Sequence, residues 1–310
     1  MATASTPPMS PLFSVIIPLY NRASIIEKTI QSVLEQTCQD FEIIVVDDGS
    51  QDNSAEVMQQ LQSHDRRIRY LQQPNSGAPV ARNKGIDAAT GKYVALLDSD
   101  DLFLRHHLEA TRQVLSEKPE AVVYARIIVD RGNNTNFMKP PRALQPGEHM
   151  SEYLMCHGGF VQTSTLVLPT NLARKVRYLE GLRFGQDTDF ALRLFAVGAS
   201  FQMIHEPGVI WSDVADAKRV STHSSGEQRL QWLNSVRGII TDKAYYADRG
   251  WFVARALIHN GHFLKGAGYY LSAVLHRAYR PAHALRVLLQ LAFPRSLYRT
   301  LANQYIAAKK

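Results

Sequence analysis

The sequence contains little cysteine and no apolar run long enough to cross a membrane. Its two cysteines, Cys38 and Cys156, are far apart and belong to no CxxC pair, which excludes a disulfide framework and a cysteine-based zinc module. We therefore expect a reducing, cytoplasmic compartment. The apolar stretch from Leu12 to Tyr20 is interrupted by Pro18 and follows no positive charge. We expect neither a transmembrane span nor a signal peptide, since a spanning helix needs roughly 18 consecutive apolar residues.

Two common nucleotide-binding motifs are also absent. No GxGxxG follows the first apolar run, and no GxxxxGK[ST] occurs anywhere, which disfavours a dinucleotide cradle and a P-loop. What is present is a chain of 310 residues, 45% hydrophobic and 20% charged. This composition predicts one large folded domain with an appendage.

Acidic residues are missing from the end of the chain. Ten Lys or Arg and no Asp or Glu follow Asp248, so residues 249–310 carry +10 and the rest carries −3 of the net +7. Apolar residues recur at helical spacing over 226–310, which predicts a basic helical region. Two interpretations stay open: a peripheral dock on an anionic membrane at the cytoplasmic face, or a helical bundle packed on the core. No nucleic-acid-binding motif is present, so nucleic acid is not an expected partner.

The first hundred residues alternate between strand and helix patterns. Strands are predicted at 13–19, 41–46, near 68–71 and at 93–97, from short β-branched runs. Helices are predicted after a Ser24/Glu27 capping box, after Asp52 and after the cap candidate Ser76. This order predicts an α/β fold with a mostly parallel central sheet flanked by helices. In such sheets ligands bind at the carboxyl ends of the strands.

Polar residues follow three of these strands. The first ends in Pro18, Tyr20 and Asn21, the second in Asp47-Asp48-Gly49-Ser50, and the fourth in Asp98-Ser99-Asp100-Asp101. Each cluster alone is explained by Asx turns and helix capping. Together the five carboxylates repel one another unless a cation neutralises them, and their hard oxygens suit Mg²⁺ or Mn²⁺.

The order and spacing of these motifs resemble a known family. The runs SVIIPLYN from Ser14, FEIIVVDDGS from Phe41 and NSGAPVARNKGIDAATGKYVALLDSDD from Asn75 are similar to those of the inverting family 2 glycosyltransferases. The resemblance is closest over residues 13–105, thins between 130 and 180, and returns in Phe184–Phe190. It implies a GT-A type, Rossmann-like fold that transfers sugar from a nucleotide-sugar donor, most simply a UDP-sugar.

The resemblance also implies roles for individual residues. Pro18, Tyr20 and Asn21 would line the nucleotide, with Tyr20 stacked on its base and Asp48 accepting a hydrogen bond from that base. Arg82 would approach the diphosphate, Asp98 and Ser99 of the DxD motif would contact the ribose, and Asp100 would hold the metal. Asp101 would reach the metal or cap the next helix. By residue type alone, Tyr20 is a half-buried aromatic and Arg82 is a solvated helix charge.

The family's catalytic base is similar to Asp187 of this chain. That carboxylate would take the proton from an acceptor hydroxyl in a single inverting displacement. The acid usually found just before this Asp is Gln186 here, which changes the local charge. A role for Asp187 and Asp189 as helix caps stays open. His223 is a further metal or phosphate candidate, although its surroundings, Arg219–Ser225, also suit a polar loop.

We therefore predict a disordered tail (1–11), a catalytic domain (12–225) with a nucleotide-binding half (12–105) and an acceptor-binding half (106–225), and the C-terminal helices (226–310). The expected acceptor is a hydroxyl of a polysaccharide or of a lipid-linked glycan, an inference from the basic tail. A nucleotidyltransferase and a catalytically silent scaffold are the alternatives. A nucleotidyltransferase would carry a Gly-rich loop with Lys or Arg after the first strand, and this sequence has none. A silent scaffold is disfavoured because the sequence keeps Asp48, Asp98, Asp100 and Asp187.

Overall fold

Nine strands form a single sheet in the part of the chain that the computed structural model describes, residues 10–132, 136–213 and 226–307. The strands are β1 (Phe13–Leu19), β2 (Phe41–Asp47), β3 (Ile68–Gln72), β4 (Tyr93–Leu96), β5 (Leu102–Phe103), β6 (Val122–Asp130), β7 (Asn136–Lys139), β8 (Val167–Pro169) and β9 (Phe201–Ser212). Their order across the sheet is β3-β2-β1-β4-β8-β6-β9-β5, with β7 paired to β6.

Helices cover the sheet and continue beyond it. They are α1 (Ile26–Leu34), α2 (Ser54–His64), α3 (Ala78–Ala88), α4 (His107–Glu117), α5 (Met150–Met155), α6 (Thr170–Val176), α7 (Gln186–Ala196), α8 (Gly226–Ser235), α9 (Asp242–Asp248), α10 (Ala254–His259), α11 (Phe263–Leu275), α12 (Pro281–Ala292) and α13 (Arg295–Ala307). A π-helical turn, Arg249–Val253, joins α9 to α10. None of the helices in the described ranges is long and apolar enough to cross a membrane.

The four N-terminal strands of the βαβ units pair in parallel, as the sequence predicts. β1 lies between β2 and β4, and β3 lies outside β2. The second half of the sheet is mixed, because β8 runs antiparallel to both β4 and β6 while β6 and β9 are parallel. The predicted α/β class with flanking and C-terminal helices is confirmed.

Successive residues of β1 pack on opposite faces of the sheet. Ile16 belongs to one core layer, whereas Val15 and Ile17 belong to the other, as the period of two requires. On the Ile16 side α3 comes very close, since a Cβ added to Gly85 would lie 2.4 Å from Cγ2 of Ile16. Because Gly85 has no side chain, α3, which carries Arg82, can lie directly against the strands that end in the polar clusters.

The two helix caps predicted from serine are wrong. α1 begins at Ile26 without a side-chain cap, because the N–H groups of Ile25 and Ile26 donate to the carbonyl of Arg22. α3 follows Gly77, also without a side-chain cap, and Ser76 Oγ donates to the carbonyl of Pro74 instead. At the start of α1 the carbonyl of Arg22 accepts from the backbone N–H groups, and before α3 the Asp48 carboxylate accepts from the N–H groups of Ser76 and Gly77.

The C-terminal helices pack on the same core layer as Ile16. Their buried members in that layer include Trp232, Leu233, Ile240, Ala244, Val287 and Leu291. Helical structure over this region is therefore confirmed for its described residues, and its inner faces pack on the core. The separate domain boundaries at 12, 105 and 225 stay predictions. Residues 1–9 of the predicted tail lie outside the described ranges.

Candidate active site

The end of β1 is tied to the end of β2 by Asn21. Its backbone is in the left-handed region, with φ of 51°, which Asn tolerates better than most residues. Its Oδ1 accepts from the N–H of Gln51 at 2.7 Å, and its own N–H donates to Ser50 Oγ at 3.0 Å. Next to it, Tyr20 is 43% exposed while Pro18 is buried in the strand. An aromatic ring is thus presented to solvent at the sheet edge.

The carboxylates after β2 accept hydrogen bonds from other residues of the chain. Asp48 Oδ1 accepts from Gln73 Nε2 and from the N–H of Ser76, each at 2.8 Å, and its Oδ2 accepts from the N–H of Gly77 at 2.7 Å. Asp47 accepts from the Tyr70 hydroxyl at 2.5 Å and from the N–H of Ser50 at 2.8 Å. The buried Asp48 therefore shapes the loop that leads into α3. Its contact with a nucleobase stays a prediction.

The carboxylates after β4 divide into two groups. Asp98 and Asp100 are partly exposed, and Asp100 lies 4.0 Å from Nη2 of Arg22. Asp101 is buried and accepts from Gln162 Nε2 at 2.8 Å, from Ser164 Oγ at 2.5 Å and from the N–H of Ser212 at 3.2 Å. Burial, followed by the charges of Asp98 and Asp100, raises the pKa of Asp101 well above its usual range. These contacts favour a structural role for Asp101 over metal binding.

Arg82 connects the end of β4 to the start of α7. Its Nη2 donates to Asp98 Oδ1 at 2.5 Å and its Nη1 to Gln186 Oε1 at 2.6 Å. The guanidinium carbon lies 5.1 Å from the ring centre of Tyr178. Nε is buried and makes no hydrogen bond within the described residues. Arg82 is therefore a buried junction between the two motifs; its approach to a diphosphate stays a prediction.

Asp187 is the second residue of α7, directly after Gln186. Its Oδ1 accepts from the N–H of Thr188 at 2.8 Å. Burial raises its pKa, and the Asp98 carboxylate raises it further, against the opposing effects of the Thr188 N–H and Arg82. A carboxylate whose pKa is shifted upwards is a stronger proton acceptor when it is ionised. The charge of Asp98, the first acid of the DxD motif, thus contributes to the raised pKa of Asp187.

A second set of residues holds the start of α7, and sequence reasoning did not find it. Trp232 Nε1 donates to the buried Asp189 Oδ1 at 2.9 Å, and Arg193 also pairs with Asp189. Arg229 forms a buried ion pair with Asp248 and lies 5.4 Å above the Phe184 ring. The apolar period predicted α8 as a helix, but no spacing in the sequence connects it to residues 184–189.

A cavity of about 280 Å³ adjoins this motif. Its lining residues are Gly181, Leu182, Arg183, Phe184, Gln228, Gln231 and Trp232. The lining combines the aromatic rings of Phe184 and Trp232 with the polar side chains of Arg183, Gln228 and Gln231.

The chemistry of the donor set fits a divalent cation. Asp100 is partly exposed and supplies hard carboxylate oxygens at the end of β4, and Mg²⁺ is commonly held by one or two carboxylates together with substrate phosphates. The described ranges contain no group of three or more His, Cys, Asp or Glu that could hold a metal by itself. His223 lies outside the described residues, so its predicted role is not addressed by the structure.

Comparison with known proteins identifies the family of the chain. The family model for glycosyl transferase family 2 matches residues 14–182, more than half of the chain. The chain belongs to glycosyl transferase family 2. This glycosyltransferase is 30% identical over 243 residues to the amylovoran biosynthesis glycosyltransferase AmsB of Erwinia amylovora, a match that covers 76% of this chain and 80% of AmsB.

Two further relatives match a shorter part of the chain. GlyG of Streptococcus pneumoniae is 42% identical over 116 residues (37% of this chain, 38% of GlyG), and the putative teichuronic acid biosynthesis glycosyltransferase TuaG of Bacillus subtilis is 46% identical over 110 residues (35% of this chain, 43% of TuaG). The glycosyltransferase therefore matches less than half the length of either protein.

Solved structures show the same fold. S. aureus TarS 1-349 in complex with UDP-GlcNAc superimposes with a TM-score of 0.60 at 19% identity, covering 82% of this chain and 72% of TarS 1-349. The complex of TarS 1-349 with UDP gives a TM-score of 0.55 at 16% identity, over 86% and 89% of the two chains. At this level of identity the similarity concerns the fold alone, and it confirms the GT-A type architecture of this glycosyltransferase.

Proposed function

We propose that this glycosyltransferase moves a sugar from a UDP-sugar to a hydroxyl of a polysaccharide or lipid-linked glycan, with inversion at the anomeric carbon. The observation that carries the proposal is the Arg82 junction, which connects Asp98 at the end of β4 with Gln186 beside Asp187. The proposed donor side and the proposed acceptor side would thereby be connected through one side chain. The UDP-GlcNAc bound to TarS and the polysaccharide pathways named for AmsB and TuaG support these donor and acceptor classes.

The donor would bind along the strand ends. The exposed Tyr20 ring offers a flat surface for stacking against uracil. Asp48 keeps the loop before α3 in place through the N–H groups of Ser76 and Gly77. Asp98 and Ser99 would contact the ribose. A divalent cation, Mg²⁺ or Mn²⁺, held by Asp100 would supply the positive charge that stabilises the departing nucleoside diphosphate.

The acceptor would bind on the α7–α8 side. An acceptor sugar would occupy the cavity lined by Phe184 and Trp232, on the side of the turn that leads into α7, and would direct its hydroxyl towards Asp187. Asp187 would remove the hydroxyl proton as the oxygen attacks the anomeric carbon from the face opposite the leaving diphosphate. Its raised pKa brings its proton affinity closer to that needed at neutral pH. One displacement of this kind inverts the anomeric configuration.

The first test is Asp187→Asn. Asn keeps the size of the side chain but cannot accept the proton, so we expect transfer to fall by about 10²- to 10⁴-fold. UDP-sugar binding, measured as a thermal shift with Mn²⁺ or Mg²⁺, should be unchanged, since a ligand that binds only the folded state raises its apparent stability. UDP release and NMR of the product's anomeric carbon give the rate and the stereochemistry.

The matched control is Asp242→Asn, which changes an exposed acid in the first turn of α9. This variant should transfer sugar at the rate of the unaltered protein. Full turnover of Asp187→Asn, or a product with retained anomeric configuration, would contradict the assignment of Asp187. A screen of nucleotide sugars that gives no metal-dependent thermal shift with any UDP-sugar would contradict the proposed donor.

A further inference from the structure

The three C-terminal helices present leucines to solvent. In α11 the residues Leu264, Leu271 and Leu275 are spaced by seven and four positions, so they lie on one side of the helix. Leu264 is 92% exposed and Leu275 is 81% exposed. The opposite side of the same helix contains the buried Gly266 and Ala273. α11 therefore packs on the protein through its small residues and turns its largest aliphatic side chains outwards.

Helix α12 is apolar on two sides. His283, Val287 and Leu291 are buried against the protein. Leu285, Leu288 and Leu289 are exposed on the other side. A surface helix of a soluble domain normally carries polar residues opposite its buried stripe. In α13, Leu297 and Leu301 are exposed as well, one turn apart.

The three helices are neighbours in space. The Tyr270 hydroxyl of α11 donates to the carbonyl of Ala284 in α12 at 3.1 Å, and Gln290 Nε2 of α12 donates to the Tyr298 hydroxyl of α13 at 3.1 Å. The exposed leucines thus belong to one helical layer. Groups of exposed aliphatic side chains of this kind mark a site of interaction rather than an ordinary solvated surface.

The charged residues of this layer are positive. Lys265, Arg277, Arg280 and Arg286 are exposed, and their side chains make no ion pair with any described residue. Arg249 and Arg299 differ, because Arg249 lies over tyrosine rings and Arg299 pairs with Asp213. No Asp or Glu occurs after Asp248 in the sequence. An approaching anionic surface therefore meets positive charge without compensating negative side chains.

We propose that the outer faces of α11, α12 and α13 form a docking surface for a bilayer that contains anionic phospholipid. The leucines would enter the boundary between headgroups and acyl chains, while the four exposed basic residues would contact the headgroup phosphates. Lipid is favoured over a protein partner because the surface combines many flexible aliphatic side chains with charge of a single sign. The proposal does not rest on the donor or the reaction, since docking is measured without turnover.

Flotation of the full chain with vesicles tests the proposal. We expect binding to vesicles of phosphatidylglycerol and phosphatidylcholine, and little binding to phosphatidylcholine alone or at high salt, where charges are screened. Replacing Arg277, Arg280 and Arg286 by Gln should lower the partition coefficient about five-fold per residue, the equivalent of about 1 kcal/mol each. Leu264→Ser with Leu275→Ser should lower it as well. Thermal unfolding confirms that each variant is folded.

Matched controls carry the same substitutions on other surfaces. Gln at Arg66, Arg105 and Lys175, and Ser at the exposed Leu179 and Val197, should leave vesicle binding unchanged. Equal partitioning of the C-terminal variants and the unaltered chain would overturn the proposal. So would a concentration-dependent dimer that the two leucine substitutions dissociate, because the surface would then be a contact between two copies of this chain.

Discussion

At the scale of single residues, Gln186 determines the charge beside Asp187, the proposed base. Its Oε1 accepts from Arg82 and its Nε2 donates to the carbonyl of Leu182 at 2.8 Å. The amide therefore keeps the contact that a carboxylate could make with Arg82 but adds no negative charge. Of the two side chains that accept hydrogen bonds from Arg82, only Asp98 carries a negative charge. Besides burial, one neighbouring acid, Asp98, therefore raises the pKa of Asp187, where a Glu at position 186 would add a second.

This difference gives a prediction for Gln186→Glu. A second carboxylate next to Asp187 disfavours the ionised base, so its pKa should rise, by about one unit for a close like charge. Asp187 can accept a proton only when it is deprotonated. As the pH is lowered, activity should therefore be lost at a higher pH than in the unaltered protein. The acid limb of kcat/KM against pH measures this shift. Gln62→Glu, an exposed change in α2, should leave the limb in place; an unmoved limb in Gln186→Glu would count against Asp187.

Residue-scale prediction from sequence found the acids but not their hydrogen-bond partners. The five carboxylates do follow the strand ends, as the βα pattern requires. Asp47, Asp48 and Asp101, however, receive donors from Tyr70, Gly77 and Ser164. These donors come from other elements, and in the case of Asp101 from far along the chain. No local pattern can assign them, since they depend on how the sheet is assembled.

At the scale of elements, α8 acts as a support for the start of α7. Trp232 donates to Asp189, and a Cβ added to Gly185 would lie 2.8 Å from Arg229 Nη1. Gly185 also has a positive φ of 58°, which a residue with a side chain rarely adopts. The turn that sets the direction of Asp187 is therefore enclosed by a helix that follows residue 182, where the family match ends.

Trp232→Phe tests this support. The ring volume is largely kept, but the buried Asp189 carboxylate loses one donor, which should lower the free energy of unfolding by about 1–3 kcal/mol. Because Asp189 and Asp187 share the first turn of α7, kcat should fall while KM for the donor stays constant. Urea unfolding and steady-state kinetics measure the two effects.

The same substitution at Trp251 is the control. Its Nε1 donates to the part-buried, neutral Gln290 at 2.9 Å, so the loss should stay within about 1 kcal/mol and kcat should not change. If both variants lose kcat equally, or if Trp232→Phe raises only KM, then α8 does not position the base.

The sequence predicted the strands and helices whose neighbours in the fold are also close along the chain. It did not predict strands whose pairing partners are distant along the chain. β1 to β4 alternate with helices, and their apolar runs, parallel pairing and buried faces follow from the pattern. β8 is three residues long and reaches its partners β4 and β6 from far along the chain. Valine also occupies many other core positions. The sequence alone therefore does not distinguish Val167 in a strand from a valine in a buried helix or loop segment.

At the scale of the whole molecule, one core layer joins the sheet to the C-terminal helices. Phe190 and Leu194 of α7 share that layer with Trp232, Leu233 and Ile240. The inner faces of α8 and α9 thus pack in the same layer as α7, while the outer faces of α11 to α13 are left for the membrane proposal. The two interpretations of the basic tail are compatible, because α11 and α12 also bury Ala273, Val287 and Leu291 in this layer and expose leucines on their other sides.

A chain that ends at residue 225 should therefore not fold cooperatively. Truncation removes at least four large buried side chains, each of which stabilises the fold by about 1.5–3 kcal/mol, and the sum is comparable to the whole stability of a typical domain, about 5–15 kcal/mol. Near-UV circular dichroism during heating should show no sharp transition. A chain that ends at Pro294 lacks only α13, whose described side chains are mostly exposed or partly buried, and should keep a sharp transition. A cooperative transition in both chains would show that residues 12–225 fold on their own.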